Sequence, residues 1–234
     1  MEDRLERTEM LLGKEAVQKL KNARVAVFGI GGVGGACAEA LARSGIGAID
    51  LYDNDVVSHS NINRQVVALY STIGRYKADV MAERIKDINP VCKTAVYKFF
   101  YMPDTADEVD LSCYDCVIDA IDTVAGKVEL IIRAKAADVF IISAMGAGNR
   151  MDPTKFVVTD VYKTEADPLA KAVRKELRRR GVKDLKAVWS KEPPAAVTGA
   201  ASGDNPRVPA SSAFAPPSAG LILAAEAVKH LIAV

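Results

Sequence analysis

The chain has 234 residues, of which 50% are apolar and 26% charged, a composition typical of a globular protein. Because the formal net charge is only +1, nothing global indicates a nucleic acid, DNA included, or a membrane as a partner, and any basic patch has to be local. The first residues lack the apolar core of a signal peptide, and the apolar run at 219–234 is interrupted by charges and too short to span a bilayer. We therefore expect a cytoplasmic protein.

Helical and strand-like patterns alternate along the chain. An opening helix is predicted at 9–23, a strand at 25–28, a helix that begins within the following glycines, and a strand at 48–52. Further helices are predicted at 76–88, 124–137, 169–180 and 219–231, helical turns at 104–111, and strands at 94–100, 116–120, 139–145, 156–162 and 185–190. This alternation predicts an α/β fold with a Rossmann-like, doubly wound and mostly parallel sheet and an antiparallel C-terminal extension.

We expect a single domain. Residues 1–150 would form its nucleotide-binding core, and residues 151–234 a C-terminal extension with a long loop at 193–217 and a closing helix. The loop is rich in Pro, Ala, Ser and Gly, and loops of this length in compact domains are usually functional or disordered.

A cluster of glycines directly follows the strand at 25–28. Gly29, Gly31, Gly32 and Gly34 surround Val33 in the pattern G-x-G-G-V-G. Glycines at a strand-to-helix turn let backbone amides approach a phosphate, and the N-terminus of the helix adds partial positive charge. The sequence therefore predicts a nucleotide phosphate site at this turn.

Acidic residues follow the ends of two strands. Asp53 comes directly after the strand at 48–52, where a carboxylate can hydrogen-bond a ribose, and Asp55 comes two residues later. Because the carboxyl ends of parallel strands meet at one edge of a sheet, Asp53, Asp122 and Gly146 are expected to share one crevice.

Two cations complete the pattern. Arg64 lies in the segment S-N-x-N-R-Q, and Lys77 begins a helix. Together with Asp122 they are typical of a triphosphate and divalent-cation site, because the cations neutralise phosphate oxygens and Asp122 can hold Mg²⁺. A nicotinamide site needs no such set of cations.

The four cysteines favour a core role over metal chemistry. Cys113 and Cys116 form a lone C-x-x-C pair, whereas a structural zinc site normally takes four ligands. Cys37 lies on the apolar face of a predicted helix. We predict no zinc site.

These motifs resemble the ubiquitin-activating-enzyme-like adenylyltransferase superfamily, which includes bacterial sulfur-carrier adenylyltransferases. The resemblance implies that ATP is held by the glycine loop and by the Asp53-type acid, and that Asp122 binds Mg²⁺. It implies that the phosphates are contacted by Asn61, Arg64 and Lys77. We count Asp55, Gln65, Ala120 and Ile121 among the binding residues.

In that superfamily an N-terminal arginine of the partner subunit often reaches the triphosphate. Arg7 is the candidate here and Arg4 the second choice. An arginine beside Glu6 and Glu9 is equally typical of a solvated helix charge. The resemblance implies a homodimer. It leaves open whether the protein also binds a monovalent cation.

Within the superfamily, further segments resemble the tRNA threonylcarbamoyladenosine dehydratases over essentially the whole chain. These segments include Ile-Asn-Pro at 88–90, Asp-Ala-Ile-Asp at 119–122, Met-Asp-Pro-Thr at 151–154 and the ending at 212–221. The resemblance implies ATP-dependent adenylation of a carboxylate on the modified adenosine, followed by attack of the ureido group, ring closure and release of AMP. Positioning and phosphate stabilisation suffice for that closure, without an enzyme nucleophile.

Two other hypotheses stay open. One is an adenylyltransferase that activates the C-terminus of a small sulfur-carrier or ubiquitin-like protein, although the missing zinc pairs and loop cysteine disfavour it. The other is a nicotinamide-binding oxidoreductase or a binding module on the same fold. A basic run could contact tRNA phosphates, or could be a solvated helix face; its arginines are Arg174, Arg178, Arg179 and Arg180.

Overall fold

A single sheet organises the chain in a computed structural model, which describes residues 3–196 and 209–233. The strands are β1 (Arg24–Phe28), β2 (Ala48–Tyr52), β3 (Lys93–Tyr97), β4 (Cys116–Asp119), β5 (Phe140–Ala144), β6 (Phe156–Asp160) and β7 (Lys186–Ser190). Their order is β3-β2-β1-β4-β5-β7-β6, and every neighbouring pair is parallel except β6 and β7. The predicted mostly parallel sheet with an antiparallel C-terminal addition is confirmed.

Helices cover both faces of the sheet. They are α1 (Glu6–Leu12), α2 (Lys14–Asn22), α3 (Gly32–Arg43), α4 (Lys77–Ile88), α5 (Val124–Ala136), α6 (Pro168–Arg179) and α7 (Ala215–Ala233). One core lies under α2, α3, α4 and α7, and the other lies under α5 and α6. Adjacent residues of β4 show the division, because Ile118 joins the first core and Val117 the second. Burial on both faces explains the apolar strand sequences.

The opening helix differs from its prediction. The sequence predicts one helix at 9–23, whereas the structure has α1 and α2, divided at Gly13. Gly13 has φ +87°, a backbone conformation that L side chains rarely adopt, so the chain turns there instead of continuing the helix. The apolar spacing cannot reveal this break.

Other observed boundaries differ from the predicted ones as well. β3 ends at Tyr97 rather than at residue 100. The closing helix begins at Ala215 instead of 219, because Pro216 and Pro217 occupy its first turn, where a missing backbone donor costs little. Residues 215–217 were therefore wrongly assigned to the loop at 193–217, of which residues 197–208 lie outside the described part of the chain. The division near residue 150 stays a prediction.

The chain order of the strands reverses between β1 and β4, which lie side by side at the middle of the sheet. In open α/β sheets such a reversal leaves a crevice at the carboxyl ends of the strands. Across those ends the rings of Phe28, Tyr52 and Tyr97 stack in register, with centroid separations of 4.1 and 4.4 Å. Among the described residues, no helix has the length and apolar character needed to cross a membrane.

Candidate nucleotide-binding site

A crevice of about 540 Å³ lies at the carboxyl ends of the central strands. It collects residues from the segments that the sequence singled out. The predicted residues that line it are Gly29, Gly31, Gly32, Val33, Asp53, Asp55, Asn61, Arg64, Gln65, Lys77, Ala120, Ile121 and Asp122. Gly146 lines it as well, so the expectation that Asp53, Asp122 and Gly146 share one crevice is confirmed.

The glycine loop joins β1 to α3. Gly31 is the N-cap of α3 and lines the crevice. The first backbone N–H groups of α3 have no partner within the helix, so they are available to a ligand in the crevice. Gly34 is buried and does not line the crevice. Its Cα hydrogen faces the backbone of Gly29, where a Cβ would lie 1.8 Å from the Gly29 carbonyl oxygen. Gly34 therefore permits close packing of α3 against the loop.

Asp53 fastens two loops. Its Oδ2 accepts a hydrogen bond from the backbone N–H of Ile30 at 2.6 Å, and its Oδ1 accepts one from Asp55 at 2.8 Å. Burial raises the pKa of this carboxyl against the lowering effect of the Ile30 bond and of Lys77. Asp53 thus holds the glycine loop in place, and its remaining lone pairs can accept ribose hydroxyls.

Lys77 lies at the start of α4 with only 6% of its surface exposed. Its Nζ donates to Asp55 Oδ2 at 2.6 Å, and its backbone N–H donates to the Asp55 carbonyl at 2.9 Å. The Lys77 ammonium lines the crevice and pairs with one exposed carboxylate. It can therefore also bind an anion that enters the crevice.

The segment at 58–65 contributes the side chains of Asn61, Arg64 and Gln65 to the crevice wall. Asn61 is 8% exposed, and its Oδ1 accepts the backbone N–H of Ser58 at 3.1 Å, which fixes the turn. Arg64 Nη1 donates to the Ser60 carbonyl at 3.0 Å and to Asn63 Oδ1 at 2.9 Å, and burial lowers the pKa of its guanidinium. Both partners are neutral, so among the described residues no carboxylate pairs with Arg64, which brings its positive charge to the crevice.

The opposite wall follows β4. The backbone N–H of Ala120 donates to the Phe28 carbonyl at 2.8 Å, and that of Ile121 to Asp119 Oδ1 at 3.1 Å. Asp122 is exposed at the crevice, two residues before α5. No group of three or more His, Cys, Asp or Glu side chains able to hold a metal occurs in the part of the chain that the structure describes.

The sequence analysis missed an aromatic wall. Residues 99–101, the run Phe-Phe-Tyr after β3, line the crevice together with Phe28 and Tyr52. Phe99 packs edge-on against Tyr52 with centroids 5.9 Å apart, and Tyr101 packs edge-on against Phe28 at 5.0 Å. Three consecutive aromatic residues after a strand also indicate a surface that can stack against a nucleotide base. The sequence analysis assigned residue 99 and residue 100 to the strand instead.

A second group of missed residues comes from the C-terminal part. Pro209, Ser211 and Pro216 line the crevice, and the Ser211 carbonyl accepts a hydrogen bond from Asn63 Nδ2 at 3.0 Å. The backbone N–H of Asn149 donates to the Ala210 carbonyl at 2.7 Å. The segment at 209–212 is thereby tied to both sides of the crevice.

The predicted arginines elsewhere lie away from the crevice. Arg7 is exposed on α1 and is not among the described residues that line the crevice, and Arg4 donates to Asn89 Oδ1 at 2.7 Å. The arginines of the basic run have partners: Arg174 bonds the Thr164 carbonyl, Arg178 lies over the Tyr162 ring, Arg179 pairs with Glu176, and Arg180 with Glu129.

The sheet order, the glycine loop and the acidic strand ends define a Rossmann-like nucleotide-binding protein. The sequence model of the ThiF family matches residues 5–234, and the chain belongs to that family. It is 43% identical over 237 residues to the tRNA threonylcarbamoyladenosine dehydratase of Bacillus subtilis (strain 168), an alignment that covers 97% of this chain and 93% of the relative.

Solved structures agree with this relationship. The E. coli tRNA N6-threonylcarbamoyladenosine dehydratase in complex with AMP superposes with a TM-score of 0.92 at 38% identity, covering 98% of this chain and 94% of that one. The same E. coli enzyme in complex with ATP gives a TM-score of 0.88 at 37% identity, with the same coverage.

Proposed function

We propose that the protein catalyses the ATP-dependent dehydration of threonylcarbamoyladenosine in tRNA. The observation that carries the proposal is the convergence of Arg64, Lys77 and Asp122 with the glycine loop on one crevice, in a chain similar over nearly its whole length to dehydratases. The carboxylate of the modified adenosine attacks the α-phosphorus of ATP, and pyrophosphate leaves. The ureido group then attacks the acyl adenylate, the ring closes and AMP departs, for a net loss of water.

The residues divide the work on ATP between them. The phosphates lie against the N-terminus of α3, where Gly31, Gly32 and Val33 present backbone to the crevice. Arg64 and Lys77 stabilise the charge that develops on the departing pyrophosphate, and their fixed positions mean that little reorganisation is needed during the reaction. The base lies against the aromatic wall and the ribose against Asp53.

Asp122 is the residue that would hold Mg²⁺. One exposed carboxylate at the carboxyl end of β4 fits this ion, because Mg²⁺ is usually bound through one or two carboxylates, substrate phosphates and water rather than by an all-protein cage. When bound, the ion would neutralise phosphate oxygens. A requirement for a monovalent cation stays a prediction, which buffers containing K⁺, Na⁺ or choline would check.

The tRNA lies along α6. This helix begins next to the crevice, because its N-cap Asp167 accepts the backbone N–H of Gly146 at 3.0 Å and Leu169 lines the crevice. Lys171, Lys175 and Arg178 are exposed on it at spacings of four and three residues, so they form one ridge. Arg174, Arg179 and Arg180 contribute less to phosphate contacts because their guanidinium groups already bond or pair with protein oxygen atoms, whereas Arg178 lies over the face of the Tyr162 ring. A tRNA substrate also implies a cytoplasmic location.

The active form is a homodimer in which Arg7 acts across the interface. Arg7 is exposed on α1 and does not reach the crevice of its own chain, as a residue that serves the partner's site requires. Mixing Arg7→Ala and Asp122→Ala variants checks this proposal. Heterodimers would contain one intact site, so about a quarter of the wild-type activity should return on random exchange. If no activity returns, the proposal that Arg7 acts in the partner's site is refuted.

The decisive experiment measures pyrophosphate release from ATP and Mg²⁺ with tRNA that carries threonylcarbamoyladenosine or lacks it. We expect release only with the modified tRNA, together with a nucleoside lighter by one water in mass spectrometry. Arg64→Ala and Asp122→Ala should abolish both signals. Arg75→Ala is the matched control, since Arg75 pairs with Glu83 and does not line the crevice.

Release that ignores tRNA but responds to a small protein ending in Gly-Gly would refute the dehydratase and favour the carrier-protein adenylyltransferase. Failure to bind ATP at all would refute both.

A further inference from the structure

A completely buried ion pair lies behind the crevice. Lys127 of α5 and Asp119 of β4 both have 0% side-chain exposure, and Lys127 Nζ is 2.8 Å from Asp119 Oδ2. The same Nζ donates to the Ala144 carbonyl at 2.9 Å. Neither Lys127 nor Asp119 lines the crevice, so the nucleotide chemistry described above does not use them directly.

The pair joins two neighbouring strand ends. Asp119 is the last residue of β4 and Ala144 the last residue of β5, and these strands pair in parallel. Residues 120–122 follow one end and residues 145–148 the other, and all of them line the crevice. One ammonium group thus bridges the bases of two segments of the crevice wall.

The second carboxylate oxygen extends the linkage to Asp122. Asp119 Oδ1 accepts the backbone N–H of Ile121 at 3.1 Å, so both oxygens of Asp119 are bound. The chain between Asp119 and α5 is short, and the backbone N–H of Lys127 closes the first helical turn on the Thr123 carbonyl at 3.0 Å. That backbone bond does not involve the Lys127 side chain. The side chain acts on Asp122 through Asp119, whose Oδ1 holds the Ile121 N–H next to Asp122.

Stability alone does not account for such a pair. Removing two charges from water costs about as much free energy as their mutual attraction returns, and apolar residues of similar volume are often as stable. We propose that Lys127 is a positioning residue that, through Asp119 and Ala144, holds the Asp122 carboxylate at the place where Mg²⁺·ATP binds. This inference rests on the proposed function, because that function assigns the metal to Asp122.

The test uses a variant without an unpaired buried charge. Lys127→Met alone would leave the Asp119 carboxylate uncompensated, and the protein could fail to fold. In the double variant Lys127→Met with Asp119→Asn, the asparagine oxygen still accepts the Ile121 N–H while both charges disappear. Lys135→Met is the matched control, since Lys135 lies on the same helix and pairs with Asp184 at the surface.

The first readout is ATP binding by titration calorimetry with and without Mg²⁺, which needs no tRNA. For the double variant we expect ATP affinity without Mg²⁺ within about twofold of wild type, and a loss of about tenfold in the presence of Mg²⁺. Adding Asp122→Asn should cost little more in this background, because the two changes remove the same interaction. The control should bind as wild type does.

Two outcomes would overturn the inference: unchanged Mg²⁺-dependent binding in the double variant, or an equal loss with and without Mg²⁺, which indicates a general structural role. A wild-type protein that binds Mg²⁺·ATP but releases no pyrophosphate with modified tRNA would instead refute the proposed function. The calorimetric comparison would still decide the role of Lys127.

Discussion

Replacing Gly34 with alanine tests the packing that forms the glycine loop. In an exposed helix interior the change would stabilise by about 1 kcal/mol, because glycine loses more backbone entropy on folding. Here the new Cβ would lie 1.8 Å from the Gly29 carbonyl oxygen, 3.0 Å from the Gly29 carbonyl carbon and 3.1 Å from Ala120 Cβ. Backbone atoms cannot rotate aside, so α3 and the loop have to separate by about 1 Å or more.

Overpacking of this kind typically costs 1–3 kcal/mol and sometimes more, so we expect Gly34→Ala to lose about 3 kcal/mol in spite of its helix propensity. Urea unfolding should show a midpoint lower by about 1 M, because slopes for chains of this size are about 3 kcal/mol/M. Gly31→Ala is the matched control in the same loop. Its Cβ would meet only Gln65 Nε2 at 3.9 Å, and its φ of −82° suits alanine.

A Gly34→Ala protein as stable as wild type would refute this reasoning. It would mean that the loop and α3 can separate freely, and that the close approach is not required. A loss of stability in Gly31→Ala as large as in Gly34→Ala would refute it equally, since the contact distances predict a difference between the two positions.

Three further predictions concern charge and thiol chemistry. Burial opposes ionisation of Glu39, but hydrogen bonds from Arg84 and Arg43 outweigh it and lower the pKa of that carboxyl. The stabilisation is therefore present above the unfolded-state pKa and is lost as pH falls through the lower folded-state pKa. Glu39→Gln should cost about 1 kcal/mol in urea unfolding at pH 7, and the difference should shrink as the pH is lowered below 4.5. Burial raises the pKa of Cys92 to about 11 and that of Cys37 and Cys116 as well, whereas Cys113 is exposed, so Ellman's reagent should titrate one thiol in the native protein and none in Cys113→Ser. Lys171→Glu with Lys175→Glu should weaken tRNA binding and flatten its dependence on salt in filter-binding assays, whereas an unchanged slope would remove the α6 ridge from the tRNA interface.

The parts of the fold that the sequence predicts well are those determined by local pattern. β2 is predicted at its observed bounds, and α4 and α5 within one residue, because buried strands and amphipathic helices leave clear apolar periods. The break at Gly13 depends on one backbone conformation, and β3 ends early because the aromatic run after Tyr97 leaves the sheet to line the crevice. Neither event changes the apolar pattern.

The candidate site also has residues that sequence motifs predict and residues that they do not. Its glycine loop, Asp53, Arg64 and Lys77 belong to motifs with fixed spacing, so they are found from the sequence. Pro209, Ser211 and Pro216 follow the last strand, β7, and reach the crevice only because the chain returns from there to the middle of the sheet. No spacing rule connects them to the glycine loop. The role of Gly34 is likewise visible only from the distance of 1.8 Å between a Cβ placed on Gly34 and the Gly29 carbonyl oxygen.

The C-terminal helix supports the crevice through its packing against α3. α7 packs along α3, and a Cβ on Gly220 would lie 2.2 Å from the Val33 carbonyl oxygen. A Cβ on Gly32 would approach Pro216 at 3.1 Å and Arg64 at 3.4 Å. Because α7 supports the helix whose N-terminus lines the crevice, a side chain added at Gly220 has to displace α3 as well as α7. The crevice therefore depends on the closing helix as well as on the glycine loop.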